Sequence, residues 1–211
     1  MKLVLAALYP SHLNLNGDQA NLLVAKKRLG WAGIDCEIAS IGKGEAIPKN
    51  ADLIFIGHGS IAAWEDIEDD LTARIPEIGS LVDSGAALMA VATGHEWAIN
   101  SGFFENRISK IDRISKFEIS SLGELEVLGY LNTSTNAPVI QKINLLIGTQ
   151  LHGPVFAKNP VLVDQFLEEI IISRHGSELA EKFRHSNSIQ AETVNSIVSE
   201  VWKLERDLAS E

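Results

Sequence analysis

The sequence predicts a doubly wound α/β fold, a mostly parallel sheet with helices on both faces, formed by one domain over residues 1–211. Three observations carry this expectation. Residues 51–56 and 86–92 are nearly continuous apolar runs, the pattern of parallel strands buried on both faces. Apolar strands alternate along the chain with segments of helical period. The run 86–92 also turns at Thr93-Gly94 directly into a helical segment, and sheets of this kind mount their sites at such strand-to-helix turns.

The elements follow in order. Lys2–Leu8 is a short apolar strand, and residues 17–29 form a helix with Leu22, Leu23, Ala25, Lys26 and Leu29 at helical spacing and basic residues in its last turns. Residues 30–33, with a glycine at each end, break it. Asp35–Ile41 is the second strand, and the run 51–56 ends in Gly57-His58-Gly59. Residues 64–82 are acidic and helical in part, with a break at Pro76. Between 108 and 147 the pattern gives short strands at 116–120, 124–128 and 143–147, paired antiparallel, with turns at Gly123 and over 133–138. Beyond Pro160, the spacing of Leu162, Phe166 and Ile170 marks a helix. Residues 189–208 form a last amphipathic helix with Ile197, Val201, Leu204 and Leu208 on one face.

Charge and composition exclude several function classes. There are 28 acidic and 18 basic residues, a formal charge of −10, which opposes any large phosphate-binding surface and argues against a nucleic-acid partner. No apolar run approaches the roughly 20 residues of a bilayer crossing, and the apolar start is too short for a signal segment, so no membrane insertion and a cytoplasmic location are expected. Cys36 is the single cysteine, which rules out an internal disulfide and a cysteine-rich metal site. It falls in the second strand and reads as a small buried hydrophobe.

Doubly wound sheets hold ligands beyond the carboxyl ends of their strands. The candidate turns are Gly57-His58-Gly59-Ser60, Ala92-Thr93-Gly94-His95 and Thr149-Gln150-Leu151-His152-Gly153-Pro154. Glycines there either let backbone N–H groups approach an anionic oxygen or simply permit a tight reversal. His152 either moves a proton near neutral pH or caps loop carbonyls.

Several of these segments carry a family resemblance. Leu8-Tyr9-Pro10, Asn16-Gly17-Asp18-Gln19-Ala20-Asn21, Arg28 and Gly33-Ile34-Asp35 resemble the opening of the glutamine amidotransferase subunit of lipid II isoglutaminyl synthase, one of the cobyric acid synthase-like class I amidotransferases. Gly148-Thr149-Gln150-Leu151-His152-Gly153-Pro154, followed by Lys158-Asn159-Pro160, resembles the closing element of that family. Leu128-Gly129-Tyr130-Leu131-Asn132 and Ile54-Phe55-Ile56-Gly57-His58-Gly59 resemble its middle and its oxyanion turn. The resemblance spans residues 3–167 and implies a class I glutamine amidotransferase-like fold.

It also implies a chemistry. A cysteine on a strained strand-to-helix turn attacks the glutamine amide, a histidine carries the proton, and backbone N–H groups hold the oxyanion, each worth about 3 kcal/mol. Ammonia then passes to a Mur-ligase-like partner that amidates a cell-wall precursor, and the glutaminase subunit needs no metal or other cofactor. Carried onto this chain, His152 is the base, Asp18 its orienting group, and Gly57, Gly59, Thr93 and Asn132 line the substrate site, which takes glutamine or another small ligand. The nucleophile position is Ala92. Where the family has glycine, tyrosine and glutamine, this chain has Thr93, His95 and Glu96 as well. The resemblance therefore implies an amidotransferase-like subunit without its own glutaminase activity.

The altered pocket leaves two alternatives open, a divergent hydrolase and a small-molecule binding module. A hydroxyl nucleophile at Thr93 or Ser60 would require a base at hydrogen-bond distance. His58, His95 and His152 either meet around a metal or are unrelated loop histidines. Asp18 alternatively caps the helix that starts beside it.

Overall fold

The computed structural model describes residues 2–186 and 189–209. Its main sheet has six strands in the order β2-β1-β3-β4-β8-β7. These are β1 (Lys2–Leu8), β2 (Asp35–Ile41), β3 (Leu53–Ile56), β4 (Ala87–Val91), β7 (Ile140–Ile143) and β8 (Leu146–Thr149). All neighbours pair in parallel except β7, which forms an antiparallel hairpin with β8.

Strand alternation fixes the winding. Leu3, Leu5, Leu53, Phe55, Ala87 and Met89 point to one face, packed with α1 (Ala20–Trp31) and α6 (Pro160–His175). Ala6, Leu8, Ile54, Ile56 and Leu88 point to the other, packed with α2 (Ile61–Ala73) and α3 (Ile75–Asp83). Because successive side chains leave a strand on opposite faces, continuous apolar runs were needed to bury both layers. The expected doubly wound sheet is present.

A second sheet stands beside it in the order β5-β6-β9, built from β5 (Lys110–Leu122), β6 (Leu125–Thr135) and β9 (Leu151–His152). Here the sequence expectation changes. The strands at 116–120 and 124–128 are parts of one long hairpin turning at Gly123, while 143–147 straddles the β7–β8 turn at Asn144, which has φ 51°. Asparagine tolerates that left-handed conformation better than most residues. β9 leaves the main sheet immediately after β8 and pairs with β6, placing His152 opposite Tyr130 where the two sheets meet.

The helices differ from expectation mainly at their ends. α1 starts at Ala20 because residues 14–19 wind as turns, with the Asn14 side chain accepting the Gln19 N–H at 3.0 Å. The α2–α3 break falls at Arg74, and Pro76 lies in the first turn of α3, where its missing N–H costs nothing. α7 (Ser177–His185) was not anticipated; only Ala180 and Phe183 of it are buried. In α8 (Ile189–Ala209) the apolar stripe faces outward, with Ile197 60% and Leu204 70% exposed. The opposite face is anchored instead: Trp202 Nε1 donates to the Lys158 carbonyl, Lys158 pairs with Glu205 at 2.6 Å, and Arg28 donates to Asn195.

The second sheet is tied to the N-terminal end of α6 through Asn159. Its buried side chain accepts the Leu128 N–H at 2.9 Å and donates to the Leu128 and Val155 carbonyls at 2.8 and 2.7 Å. Asn159→Ala leaves a β6 peptide group buried without partners and is expected to cost about 2–3 kcal/mol. Urea denaturation measures this; a loss under about 0.5 kcal/mol would show that β6 does not depend on the link.

Candidate functional site

β4 lies in the interior of the main sheet and ends at Val91, and α4 (Thr93–Asn100) begins two residues later. The residue between them, Ala92, has φ 50° and ψ −114°. A side chain in that region costs of order 1–3 kcal/mol and persists only where its surroundings impose it. They do here. Its N–H donates to the Thr149 carbonyl at 2.7 Å, and its carbonyl accepts from Glu96 N–H and from Gln150 Nε2 at 3.0 and 3.2 Å. This is the elbow geometry that presents nucleophiles in α/β enzymes, carrying a methyl group instead. Gly94 lets the first turn of α4 press onto the end of β3, since a Cβ there would sit 2.6 Å from the Ile56 carbonyl oxygen.

The next side chain reaches across to the β3–α2 turn. Thr93 Oγ1 accepts the Gly59 N–H at 3.2 Å and the Trp64 indole N–H at 2.7 Å, and its own O–H is left to donate to His58 Nδ1 at 2.9 Å. Both oxygen lone pairs are occupied, so the hydroxyl is a strut rather than an available nucleophile. Burial, then the charge of His152, pushes the His58 imidazole down to about 4, which makes it a weak base at neutral pH. Gly57 is buried, and a Cβ on it would strike the Leu13 carbonyl oxygen at 2.2 Å.

His152 packs edge-on against His58, ring centroids 4.7 Å apart. Its Nε2–H donates to the Asn132 carbonyl at 2.8 Å, and Nδ1 then accepts from the Asn16 amide. Asn132 engages His152 through its backbone, while its side chain accepts from Arg113 at 2.9 Å. Asp18 is fully buried and makes no bond to the His152 ring. Its oxygens accept the backbone N–H groups of Gly153 and His58 at 3.1 and 3.2 Å, fixing the turns that carry both histidines. Burial raises its carboxyl above the usual range, and these N–H donors oppose the shift.

The remaining candidates separate from this cluster. His95 is buried against Phe104, with its ring nitrogens 2.7 Å from the Gln141 amide and 3.4 Å from that of Gln150, and burial pushes it down to about 4. It does not join His58 and His152, and among the described residues no group of three acidic, histidine or cysteine side chains could hold a metal. The Ser60 hydroxyl caps α2 by accepting the Ala63 N–H at 3.2 Å. Cys36 is half-buried on β2, its thiol pushed up to about 11 by burial. Asn16, Trp64 and Gln150 are site residues that sequence reasoning missed. Asn16 and Gln150 sit inside the segments that resemble the amidotransferase family, which was the one available signal.

Beside Thr93, between α2 and α4, runs a groove of about 580 Å³. Trp64 and Trp97 line it, together with Glu65, Glu68 and Glu96. Among known structures, PurLQS from Thermotoga maritima superposes with a TM-score of 0.53 and 13% identity, covering 82% of this chain and 98% of that one. The fold is glutamine amidotransferase-like. A glutamine amidotransferase from Thermotoga maritima superposes over 98% of this chain and 94% of that one at 14% identity, with a TM-score of 0.49. No known family's sequence profile matches the chain, and no curated protein sequence does. At these identities the likeness is one of fold.

Because Ala92 holds an elbow conformation without presenting a nucleophile, Ala92→Gly should relieve strain. We expect stabilisation of about 1 kcal/mol by urea denaturation. A loss of stability would mean that the Ala92 methyl packing outweighs the backbone cost.

Proposed function

We propose that this chain is a glutamine amidotransferase-like subunit that does not hydrolyse glutamine and pairs, in the cytoplasm, with a Mur-ligase-like partner that amidates a cell-wall precursor. One observation carries the catalytic half of this reading: the elbow bears Ala92, and the Thr93 hydroxyl takes up the Gly59 N–H that an oxyanion would need. The covalent route is then blocked twice, since no thiol can attack and a backbone donor of the β3–α2 turn is already engaged. His152 has both ring nitrogens bonded within the protein, so proton transfer would first require one of those bonds to break. The partner half rests on the sequence segments at 8–35 and 148–160, which resemble the opening and closing elements of the amidotransferase family. No cofactor is assigned to this chain.

The hydrolase alternative draws on the Thr93–His58 contact at 2.9 Å. Two N–H donors on the same oxygen and the depressed imidazole weigh against it.

The purified protein is expected to release no ammonia from glutamine. Ala92→Cys alone should restore little, whereas Ala92→Cys combined with Thr93→Gly frees the Gly59 N–H and should gain about a hundredfold over the single variant, the usual worth of one oxyanion donor. Mass spectrometry of a covalent adduct with a glutamine-derived electrophile reads the same step. Wild-type ammonia release that His152→Ala abolishes, or full turnover in Ala92→Cys alone, would overturn the blocked-site reading.

For the partner, light scattering of this chain mixed with the Mur-ligase-like protein of its own cell should give the mass of a heteromer, held by an interface above about 1,200 Å². Two separate species at micromolar concentration would refute the pairing.

A further inference from the structure

We propose that the groove between α2 and α4 binds a small organic cation, an alkylamine that carries no carboxylate. The groove borders the blocked elbow, with Thr93 in its lining, and at about 580 Å³ it is large enough for a small ligand. Its charged groups have one sign. Glu65 and Glu68 on α2 and Glu96 on α4 line it, and no lysine, arginine or histidine does so among the described residues.

These carboxylates are not already neutralised. Among the described residues Glu65 and Glu68 make no ion pair. Glu96 is held in place by a bond from Thr135 Oγ1 to its Oε1 at 2.8 Å, which leaves Oε2 for a ligand. Trp64 and Trp97 supply the second, independent feature, two indole rings lining the same groove as the carboxylates. Indole faces attract alkylammonium groups and pack against their methylenes, so rings and acids select one ligand class together.

The same lining disfavours amino acids. Glutamine bound here would bring its α-carboxylate among three glutamates with no cationic side chain in the lining to meet it, and like charges repel. An amine without a carboxylate avoids that cost. This inference deepens the blocked-site reading and rests on it only for the occupied elbow; it adds which ligand class replaces glutamine.

Isothermal titration of the full chain with 1,4-diaminobutane and spermidine tests it, with glutamine and 1,4-butanediol as comparators. We expect saturable 1:1 binding of the amines and none of the diol or glutamine. Glu96→Gln keeps the Thr135 bond through its amide oxygen and should weaken the amines about tenfold, as should Glu68→Gln, the size expected for losing one charge-assisted contact. Glu178→Gln on α7 removes the same charge from a remote exposed site and should change nothing. Should Glu96→Gln fail to fold, the exposed Glu65→Gln and Glu68→Gln variants give the same reading. Equal weakening in Glu178→Gln would reduce the effect to general attraction by an acidic protein and overturn the proposal. Absence of saturable binding, or glutamine binding more tightly than the amines, would overturn it too. Ammonia release is measured separately: no amine binding together with no glutaminase leaves the blocked subunit standing, while glutamine turnover removes that reading whatever the amines do.

Discussion

The site depends on one buried carboxylate. Asp18 lies in the turns after β1, yet its two oxygens hold the backbone of His58 after β3 and of Gly153 after β9. A lone carboxylate in that position would be costly to desolvate, and backbone N–H donors are what make an ionised one tolerable. Three segments far apart in sequence thus converge on a single side chain. The edge-on contact of His58 and His152 follows from it, because both rings leave turns whose backbones the same carboxylate fixes.

Within that frame the polar groups satisfy one another instead of waiting for a substrate. Thr93 absorbs two N–H donors and faces His58; His152 is closed between Asn16 and the Asn132 carbonyl. An active site normally leaves some of its donors and bases unfilled in the resting state, because the transition state must use them. Here the donors are spent on structure, and the unfilled polar surface has moved outward along α4, to Glu96 and the α2 glutamates. Any ligand preference should move with it.

Sequence periodicity located the main sheet because its strands are buried on both faces. β1 and β2 fall on the expected residues, and the runs expected at 51–56 and 86–92 contain β3 and β4. The second sheet was harder to see. β5 has no buried residue, so its alternation is between half-exposed and exposed positions and carries little signal. α7 was missed for a related reason, since two buried side chains do not make a pattern. In α8 the apolar stripe was legible but its direction was not, because the anchoring uses an indole N–H, an ion pair and an amide on the other face. In the site, Ala92 and Thr93 could be read from the strand-to-helix turn and the family resemblance. The Asn16–His152 and Thr93–His58 contacts could not, as each joins residues more than thirty positions apart through side-chain geometry.

The elbow keeps its conformation without a nucleophile because the sheet imposes that conformation, not the side chain at 92. The Ala92 N–H continues the β4–β8 ladder to Thr149, and its carbonyl is held by the first helical bond of α4 and by Gln150. None of these bonds involves the atoms beyond Cβ. A thiol could therefore be absent there with the backbone unchanged, and the turn would still deliver the following residue to the same place. That residue is Thr93, whose hydroxyl bridges α4 to the β3–α2 turn and to Trp64. Once such a bridge forms, the elbow strain serves to position a structural contact and the groove beyond it, which gives the strained turn a role that does not depend on catalysis.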